Sequence, residues 1–544
     1  MSTMFVTRCT WYALSQFHCT KCFELLLIMR RICTVRLQSK IMWTMQNSKR
    51  RPTSRKCTES MAGTAMGWTC VTVLVLLSVR ASAQARAPKT CKAADEAALL
   101  DFRRDFTCSD DIDPGVTCPL DSWTSDSDCC TDWEGISCDS RGRVKKIKVT
   151  SFFRPPSSFG IRGNERRPFG RPLAELKELQ DIEMRFVQMS QPLPKAFANI
   201  TKLRRLSLIA CNIIGEIPGE YGRLSNLETL RVDTVSPDYF GQGMVGTTGI
   251  PQELCSLHKL KHLFLFYNPQ LSGSIPSCID RWTSIESISI FNTMPGFTGV
   301  GGLTGKLPAT IGKLSTLKKL RLSWNNLRGE LPKSITNLRH LRVLELDHNQ
   351  FTGSIPPQIA YMKSLEALNL HSNRLYGKIP HSIAALSNLI GLDLGNNSFW
   401  GEIPSVIYNM PRLGSLILNN NRIWGRFPQY WGPDDAMKFF QIDVSHNYLS
   451  GPLPSKLKHN TFFFDASFNS LSGSLPASIG ELTFLRELDL SYCKFTGRIP
   501  ADIANAPALT RLDLSFNKLS GPVPEALRRI PELYLAFDNV TGYR

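Results

Sequence analysis

The most constraining feature of the sequence is a block of 24 residues that recurs in step across residues 314–410. Each block places an asparagine at the same point after a run of alternating leucines, at Asn325, Asn349, Asn373 and Asn397. A unit of this size cannot enclose a hydrophobic core alone, so neighbouring units must stack to bury one. The sequence therefore predicts a solenoid that displays a long surface instead of enclosing a pocket.

The positions within one block have distinct structural roles. Leu344 and Leu346 alternate with Glu345 and Asp347, and this period of two predicts a short strand with its leucines inward. Asn349 follows where the chain turns away, and its amide is expected to bond backbone groups of the turns above and below. One strand per block builds a parallel concave sheet. The Ile-Pro pair and the half-apolar run after it predict a short helical stretch on the convex side.

The repeated pattern, LxxLxxLxLxxNxLxGxIPxxI, resembles the leucine-rich repeat of plant extracellular proteins. The segments CKAADEAALLDFRRDF and LDSWTSDSDCCTDWEGISCDSRGRV resemble the N-terminal cap of the same group, so the resemblance covers residues 91–544. It points to polygalacturonase inhibitors, receptor-like proteins and receptor-kinase ectodomains. This resemblance implies an α/β solenoid: a right-handed leucine-rich-repeat superhelix with a parallel concave β-sheet and a disulfide-bonded N-terminal cap.

Four regions are expected along the chain. Residues 1–60 are rich in Lys and Arg and are interpreted as a transit peptide, a signal anchor or, preferably, leader sequence upstream of a start at Met61. Residues 61–83 have a short apolar core followed by Ala-Ser-Ala, which predicts a signal peptide cleaved before Gln84 and not a membrane span. The remainder is predicted as a cysteine-rich cap at 84–142 and about fifteen repeats at 143–544, with inserts at 152–171, 236–249 and 294–302.

Six cysteines of the cap form an even set after the predicted cleavage site, which is typical of a secreted disulfide framework. The resemblance to the family's cap implies the pairs Cys91–Cys129, Cys130–Cys138 and Cys108–Cys118. Within the repeats, Cys255 and Cys278 lie in corresponding segments of adjacent coils, and a structural bridge between them is a further expectation. Cys211 and Cys493 replace ladder asparagines and are predicted to be small buried thiols.

The formal net charge of +18 is unevenly distributed. The stretch before Met61 supplies half of it, and the segment 141–171 carries ten basic residues against Glu165 alone. This segment is predicted to project as a loop, either to bind acidic wall polysaccharide or another acidic partner, or as a solvated insert. The candidate polyanion-binding residues are Lys145, Lys146, Lys148, Arg162, Arg166, Arg167 and Arg171.

Outward strand positions are where a partner is expected to bind. Clustered aromatic side chains serve as anchors in protein interfaces, and such a cluster occurs in the N-terminal half of the array. The alternative is partial burial beneath the two neighbouring inserts. The predicted hot spot is Phe264, Phe266, Tyr267, Phe291 and Trp324, and further concave candidates are Glu345, Asp347, His371 and Asp393.

An acidic ladder is predicted in the C-terminal half. Asp443, Asp465, Asp489 and Asp513 recur at one outward position of successive repeats, although the LDLS wording is also common in this family. Carboxylates one strand apart resist ionising together, so a cation or a basic partner would be favoured there.

Catalysis is not expected. The sequence lacks a nucleophile elbow, a zinc-protease helix, kinase signatures and a phosphate-binding loop. His348, His371 and His446 are predicted on or near the sheet face without a carboxylate set at ligand spacing, and an open sheet is expected to leave carboxyl pKa values unshifted. We therefore predict no catalytic residues, no metal, no cofactor and no nucleic-acid partner.

Three sequons predict glycosylation of a secreted chain, at Asn199, Asn396 and Asn539. The sequence stops in mid-repeat without the C-terminal cap of the inhibitors, which indicates either a truncated gene model or a covered end.

The functional hypothesis is a secreted recognition protein of the apoplast or cell wall that binds a protein or peptide through its concave face. One version inhibits a wall-degrading enzyme. The alternatives are a truncated ectodomain of a membrane receptor, attached to the membrane through a missing part, and a pectin-associated wall protein.

Overall fold

The computed structural model describes residues 89–541, with gaps at 109–118, 151–158, 162–168, 188, 190, 212, 214, 234–248, 269–270, 292–301, 430–440, 458–459 and 537–538. The predicted leader and signal peptide, most of the three inserts, and Arg162, Arg166 and Arg167 therefore lie outside the described residues. Among the described helices, none combines the length and apolar character needed to cross a membrane.

An open sheet lines the concave side, with one short strand for each repeat. β1 runs antiparallel to β2, and from β2 onward every strand pairs in parallel register with the next one along the chain. The strands are β1 (Ile136–Cys138), β2 (Val144–Thr150), β3 (Asp181–Arg185), β4 (Arg205–Ile209), β5 (Thr229–Asp233), β6 (His262–Phe266), β7 (Ser287–Phe291), β8 (Lys319–Arg321), β9 (Val343–Glu345), β10 (Ala367–Asn369), β11 (Gly391–Asp393), β12 (Ser415–Ile417), β13 (Gln441–Asp443), β14 (Phe463–Asp465), β15 (Glu487–Asp489), β16 (Arg511–Asp513) and β17 (Glu532–Tyr534).

The strand leucines point inward, as the alternation predicts. Leu344 and Leu346 are fully buried, and the corresponding side chains of the other repeats join one continuous core along the solenoid. Since each repeat covers the apolar edge of its neighbour, the predicted leucine-rich-repeat solenoid is confirmed.

Short 3-10 helices form the convex side, and most follow the proline of the Ile-Pro or Leu-Pro pair, which fixes φ before the first turn. Their bounds are Arg171–Glu175, Lys195–Asn199, Gly219–Arg223, Gln252–Ser256, Ser277–Arg281, Ala309–Lys313, Lys333–Asn337, Pro357–Tyr361, His381–Ala385, Ser405–Asn409, Ala477–Glu481, Ala501–Asn505 and Glu525–Arg529.

A ladder of buried asparagines joins successive repeats. The side-chain amide of Asn349 donates to the carbonyls of Leu346 and Asp347 in its own turn and to that of Leu322 in the preceding repeat, at 2.8 Å. Its Oδ1 accepts the backbone N–H of Leu327, also in the preceding repeat, at 3.1 Å. The expectation of bonds to turns on both sides is therefore wrong, because both external partners lie on the N-terminal side.

The same one-sided pattern recurs at Asn325, Asn373, Asn397, Asn421, Asn447, Asn469 and Asn517. Cys493 keeps one of these bonds, because its thiol lies 3.5 Å from the Ala466 carbonyl. Cys211 lies 3.4 Å from the Met184 carbonyl. Both thiols are buried, as predicted, and burial raises the pKa of Cys493 to about 11 and that of Cys211 to about 12.

Additional short strands follow the ladder position and pair with one another along the edge of the solenoid. Their bounds are Thr304–Gly305, Asn326–Glu330, Gln350–Thr352, Tyr376–Gly377, Ser398–Gly401, Arg422–Gly425, Tyr448–Gly451, Ser470–Gly473, Lys494–Gly497, Lys518–Pro522 and Asn539–Thr541, and the cap adds the antiparallel pair Phe106–Cys108 and Phe159–Ile161.

The cap closes the N-terminal end of the core. Its only described α-helix, α1 (Ala93–Arg103), directs the buried carboxylate of Asp95 at the first repeat. That carboxylate accepts the Arg143 Nε–H at 3.0 Å and the Val144 backbone N–H at 2.9 Å. A buried charge with these partners is satisfied, so it fixes the helix on β2. Trp123 and Trp133 stack beside it with ring centroids 5.5 Å apart.

Three of the four expected disulfides are present in the structure: Cys91–Cys129, Cys130–Cys138 and Cys255–Cys278. The fourth expected pair lies outside the description, because Cys118 and the side chain of Cys108 are not described.

Candidate functional site: the concave face

Four of the five predicted hot-spot residues form one group, which we call the N-terminal aromatic patch: Phe264, Phe266, Tyr267 and Phe291. The register of β6 and β7 places Phe266 directly opposite Phe291, and their rings stack with centroids 4.4 Å apart. Tyr267 meets Phe291 edge-on at 5.6 Å, and Phe264 lies 5.6 Å from Phe266. All four side chains are half-buried, so this patch is a packed surface and not a fully exposed one.

Arg231 on β5 completes the patch. Its guanidinium carbon lies 5.3 Å from the ring centroid of Phe266 and 5.9 Å from that of Phe264. Its Nε–H donates to Asp233 at 2.6 Å, which holds the guanidinium over the rings. Burial raises the pKa of Asp233 to about 6, although the Arg231 charge acts against this rise. The patch thus combines apolar rings with one oriented cation, which suits a ligand that has both apolar and anionic groups.

The fifth hot-spot residue, Trp324, belongs to a different group. Its indole stacks on the imidazole of His348 at 3.5 Å, and His348 lies 5.5 Å from His371. The Nδ1 atoms of both histidines lie 3.0 Å from a carboxylate, of Asp347 for His348 and of Asp393 for His371.

The sequence did not predict these two pairwise contacts, and neither histidine belongs to a group of three possible metal ligands among the described residues. In each pair the contact between Nδ1 and the carboxylate orients the imidazole ring.

Glu345 and Asp347 face the concave side but do not project freely. The Arg321 Nε atom lies 3.0 Å from the Glu345 carboxylate, and burial raises the pKa of Glu345 to about 7. Asp347 is buried and accepts a short hydrogen bond of 2.5 Å from the Ser323 hydroxyl. These residues form an internal network that stiffens the face between the two halves of the array.

The predicted acidic ladder is formed by Asp443, Asp465, Asp489 and Asp513, which pair in register along β13 to β16; we call it the acidic row. Each Oδ1 accepts the backbone N–H two residues on, as in the bond from Ser467 to Asp465 at 2.9 Å.

Three carboxyl groups of this row, those of Asp443, Asp465 and Asp489, have raised pKa values. Burial first, and then the charges of Asp443 and Asp489, raise the pKa of Asp465 to about 8. Burial also raises the pKa of Asp443 and of Asp489. The expectation of unshifted carboxyl groups on an open sheet is thus wrong, because neighbouring side chains desolvate the strand centre.

One feature of this face was missed by sequence reasoning. His446, Phe468, Tyr492 and Phe516 precede the ladder position in consecutive repeats and stack with centroids 4.1 Å apart at every step. We call this set the aromatic column. Phe468 and Tyr492 are 40% and 42% exposed. A signal was available, because SHN, SFN, SYC and SFN recur at one repeat position.

The lysines proposed to bind polyanions are engaged within the protein. Lys145 pairs with Glu178 at 2.8 Å, Lys146 with Asp181 at 3.5 Å and Lys148 with Glu183 at 4.0 Å. These pairs neutralise the basic start of the segment 141–171. Binding of an acidic polysaccharide therefore stays a prediction that depends on residues outside the description, together with the exposed Arg171.

The three sequon asparagines, Asn199, Asn396 and Asn539, are exposed. Asn396 occupies the same repeat position as the aromatic column, so a glycan there would stand at the edge of the concave face. Its glycosylation stays a prediction.

Comparison with known families identifies the class of protein. Residues 92–139 match the leucine rich repeat N-terminal domain, and residues 315–375, 388–410, 484–506 and 508–530 match leucine rich repeats. The chain therefore contains leucine rich repeats and a leucine rich repeat N-terminal domain.

Several of the similar proteins are plant receptor-like proteins or receptor ectodomains. The chain is 32% identical to Receptor-like protein 50 of Arabidopsis thaliana over 136 residues, which are 24% of this chain and 14% of that protein. Its fold is similar to the leucine-rich-repeat ectodomain of the receptor kinase GASSHO1/SCHENGEN3 from Arabidopsis thaliana, crystallised with CASPARIAN STRIP INTEGRITY FACTOR 2. That likeness has a TM-score of 0.64 and 26% identity, and covers 81% of this chain and 56% of the ectodomain.

A second solved structure, the plant peptide hormone receptor RGFR1 in complex with RGF2, is 25% identical with a TM-score of 0.50. It covers 75% of this chain and 72% of that receptor. The matches span less than a third of the length of the curated receptor-like relatives. The chain therefore resembles plant receptor-like proteins and the extracellular parts of plant receptor kinases.

Proposed function

We propose that this protein is an extracellular recognition module of the receptor-like class, and that it binds an extended peptide on its concave face. The observation that carries the proposal is the N-terminal aromatic patch with Arg231 held above it. Aromatic rings and an oriented arginine are the side chains that most often dominate binding energy at protein interfaces.

The shape of the face supports a peptide over a small molecule. Successive strands are spaced by about 4.8 Å, so the strands from β2 to β17 give a surface on the order of 70 Å along its contour. A peptide crossing β5 to β7 would contact the patch, while Asp233 keeps the guanidinium in place. A ligand carboxylate could then pair with Arg231 while its apolar side chains pack on Phe264 and Phe291.

Similarity supports the same proposal. Two of the similar solved structures are the ectodomain of a plant receptor kinase and a plant peptide hormone receptor in complex with RGF2. We therefore favour the receptor version over the enzyme-inhibitor version, which has the same fold and would use the same face. A secreted or membrane-attached location follows from this proposal.

A displayed library of extended peptides, selected on the purified chain, tests the proposal. We expect Phe264→Ser and Phe291→Ser to weaken the selected peptides at least tenfold by calorimetry. Tyr361→Ser is the matched control, since Tyr361 is an exposed aromatic residue on the convex side. Selected peptides that bind both patch variants as tightly as the parent would contradict the proposal.

Inhibition of a polygalacturonase panel by the same preparation tests the other version. If the parent protein inhibits a fungal or bacterial polygalacturonase and the Phe264→Ser variant does not, the inhibitor proposal would replace the receptor proposal.

A further inference from the structure

The acidic row and the aromatic column lie side by side on the C-terminal repeats, separate from the N-terminal aromatic patch. Tyr492 follows Ser491, whose hydroxyl donates to Asp489 at 2.7 Å, so ring and carboxylate are joined through one residue. The same spacing relates Phe468 to Asp465. Two parallel rows of different chemistry thus run along the solenoid axis.

The column presents ring edges and not ring faces. Neighbouring planes differ by only 11° to 14°, so each inner ring covers the face of the next. A sugar ring or a cation seeking a ring face has no access to Phe468 or Tyr492. Their exposed edges instead form an apolar strip, on which aliphatic side-chain stems can pack.

This arrangement requires an unfavourable backbone conformation in every repeat. Phe468, Tyr492 and Phe516 have φ of 52°, 51° and 57°, in the left-handed region that bulky residues rarely adopt. Asn420 occupies the same repeat position with φ of 52°, and asparagine tolerates that conformation better. Local backbone preference therefore does not explain the aromatic residues, which instead contact one another through their ring faces.

The acidic row lacks basic partners. None of its four carboxylates forms an ion pair with any described residue. Arg511 acts electrostatically on Asp489, but its guanidinium is bonded to Glu532 at 3.1 Å. His371 stabilises the ionised form of Asp443, against the effect of Asp393. Burial and neighbouring carboxylates raise the pKa of Asp443, Asp465 and Asp489, so a cation placed beside these groups would favour their ionised forms.

We propose that these two rows bind an extended basic peptide segment, with arginine or lysine stems on the edges of the aromatic column and their charged ends on the acidic row. Four strands at a spacing of about 4.8 Å span about 14 Å. Same-side residues of an extended chain recur every 6.8 Å or so, and three of them span the same length. The occupant is thus a segment with basic residues at three alternate positions.

The probe is the acetylated, amidated peptide Arg-Ser-Arg-Ser-Arg, measured by calorimetry at low salt on the whole secreted chain. We expect Asp465→Asn and Tyr492→Asn each to weaken binding at least fivefold. Asn420 already occupies the equivalent position of another repeat, so we expect the Tyr492→Asn variant to fold. The controls Asp502→Asn on the convex side and Tyr448→Asn outside the column should bind as the parent does.

A second peptide, with citrulline in place of arginine, keeps the stems and removes the charge. We expect it to lose binding, and we expect salt to weaken the arginine peptide. Equal loss in the convex control, or unchanged binding by Tyr492→Asn, would overturn the proposal in favour of unspecific charge attraction. Self-association that the Asp465→Asn variant abolishes would identify a second copy as the occupant and also overturn it.

This inference does not rest on the proposed function. The variants of the N-terminal aromatic patch should leave the arginine peptide unaffected, so failure of one proposal is distinguishable from failure of the other.

Discussion

The two halves of the concave face both display aromatic rings, but mostly from different positions of the repeat. Tyr267 is the exception, because it belongs to the N-terminal aromatic patch and occupies the turn position of the aromatic column. In the N-terminal aromatic patch, Phe264, Phe266 and Phe291 lie on strands, where they pack on one another and under Arg231. In the aromatic column, the rings lie on the turn after the strand and face solvent with their edges.

This difference shows that one repeat offers two independent display rows. A strand position is shared with the sheet, so a large side chain there becomes part of the packing. A turn position lies outside the ladder of leucines, so its side chain is free to vary without changing the core. We therefore expect substitutions at strand positions to change both binding and stability, and substitutions at turn positions to change binding with little effect on stability.

Removing the Cys255–Cys278 disulfide should give the largest difference between the halves, because it joins the repeats that carry the patch. A pair separated by 23 residues is expected to contribute about 3 kcal/mol. Replacing both cysteines by serine should lower the free energy of unfolding by that amount and speed hydrogen exchange in residues 262–291. Equal acceleration in residues 463–516 would show that the halves unfold as one unit.

Truncation of one ring in each half should separate packing from display. Phe291→Ala removes a stacked, half-buried ring and should lower the free energy of unfolding by about 2 kcal/mol. Tyr492→Asn removes an exposed ring and relieves a left-handed tyrosine, so it should change stability by less than about 0.5 kcal/mol. Denaturant unfolding measures both. A larger loss for Tyr492→Asn would show that the column is a structural element.

The pH dependence of stability should also differ between the N-terminal half, which contains Asp233, and the C-terminal half, which contains Asp465. The folded pKa values of Asp465 and Asp233, about 8 and about 6, lie above the ordinary aspartate value of about 3.9. Folding therefore favours proton uptake, and the associated stability is full below about pH 4 and declines as pH rises. The decline should end near pH 6 for Asp233 and near pH 8 for Asp465.

We expect Asp465→Asn to remove on the order of 1–2 kcal/mol of this loss of stability. This is less than an isolated group would give, because the charges of Asp443 and Asp489 act on Asp465. Unfolding curves of parent, Asp465→Asn and Asp233→Asn between pH 4 and 8 measure it. An unchanged slope between pH 6 and 8 in Asp465→Asn would contradict the assignment to the acidic row.

The smallest effect is expected at the ladder cysteines. Cys493→Asn would restore the side-chain oxygen that, in other repeats, accepts a backbone N–H of the preceding repeat. We expect this change to stabilise the protein by about 1 kcal/mol. Cys211→Asn is the matched change in the other half. If thermal unfolding shows that both substitutions destabilise, the ladder geometry at these two repeats differs from that of Asn469.

The solenoid, its strands and the buried ladder followed from the sequence, because their residue types recur with a fixed period. Leu344 must be inward if Glu345 is outward, and Asn349 is the residue type that satisfies a buried turn. The packing among outward side chains was less predictable. The 24-residue period places Trp324 next to His348 and Arg321 next to Glu345 on adjacent repeats. It does not say that the rings stack or that the charges pair, since those contacts depend on rotamers.

The candidate site was accordingly predicted only in part. The aromatic cluster at Phe264 was identified, but its degree of burial was not, because the flanking side chains are held by contacts across strands. The aromatic column escaped notice because its members stand at a turn, where alternation gives no signal. The lysines of β2 appeared to be free because their acidic partners, such as Glu178, lie on the next repeat.

The one-sided asparagine ladder gives the solenoid a mechanical direction. In most described repeats the backbone groups bond to the asparagine of the following repeat, as Leu322 and Leu327 do to Asn349, whereas Cys211 and Cys493 take its place at two positions. Pulling from the C-terminal side would remove the asparagine side chains one repeat at a time. Each removal would leave backbone groups of the preceding repeat without their hydrogen-bond partner. Pulling from the N-terminal side would first meet the crosslinked cap. Under mechanical load the repeats should therefore unfold more easily from the C-terminal side than from the N-terminal side.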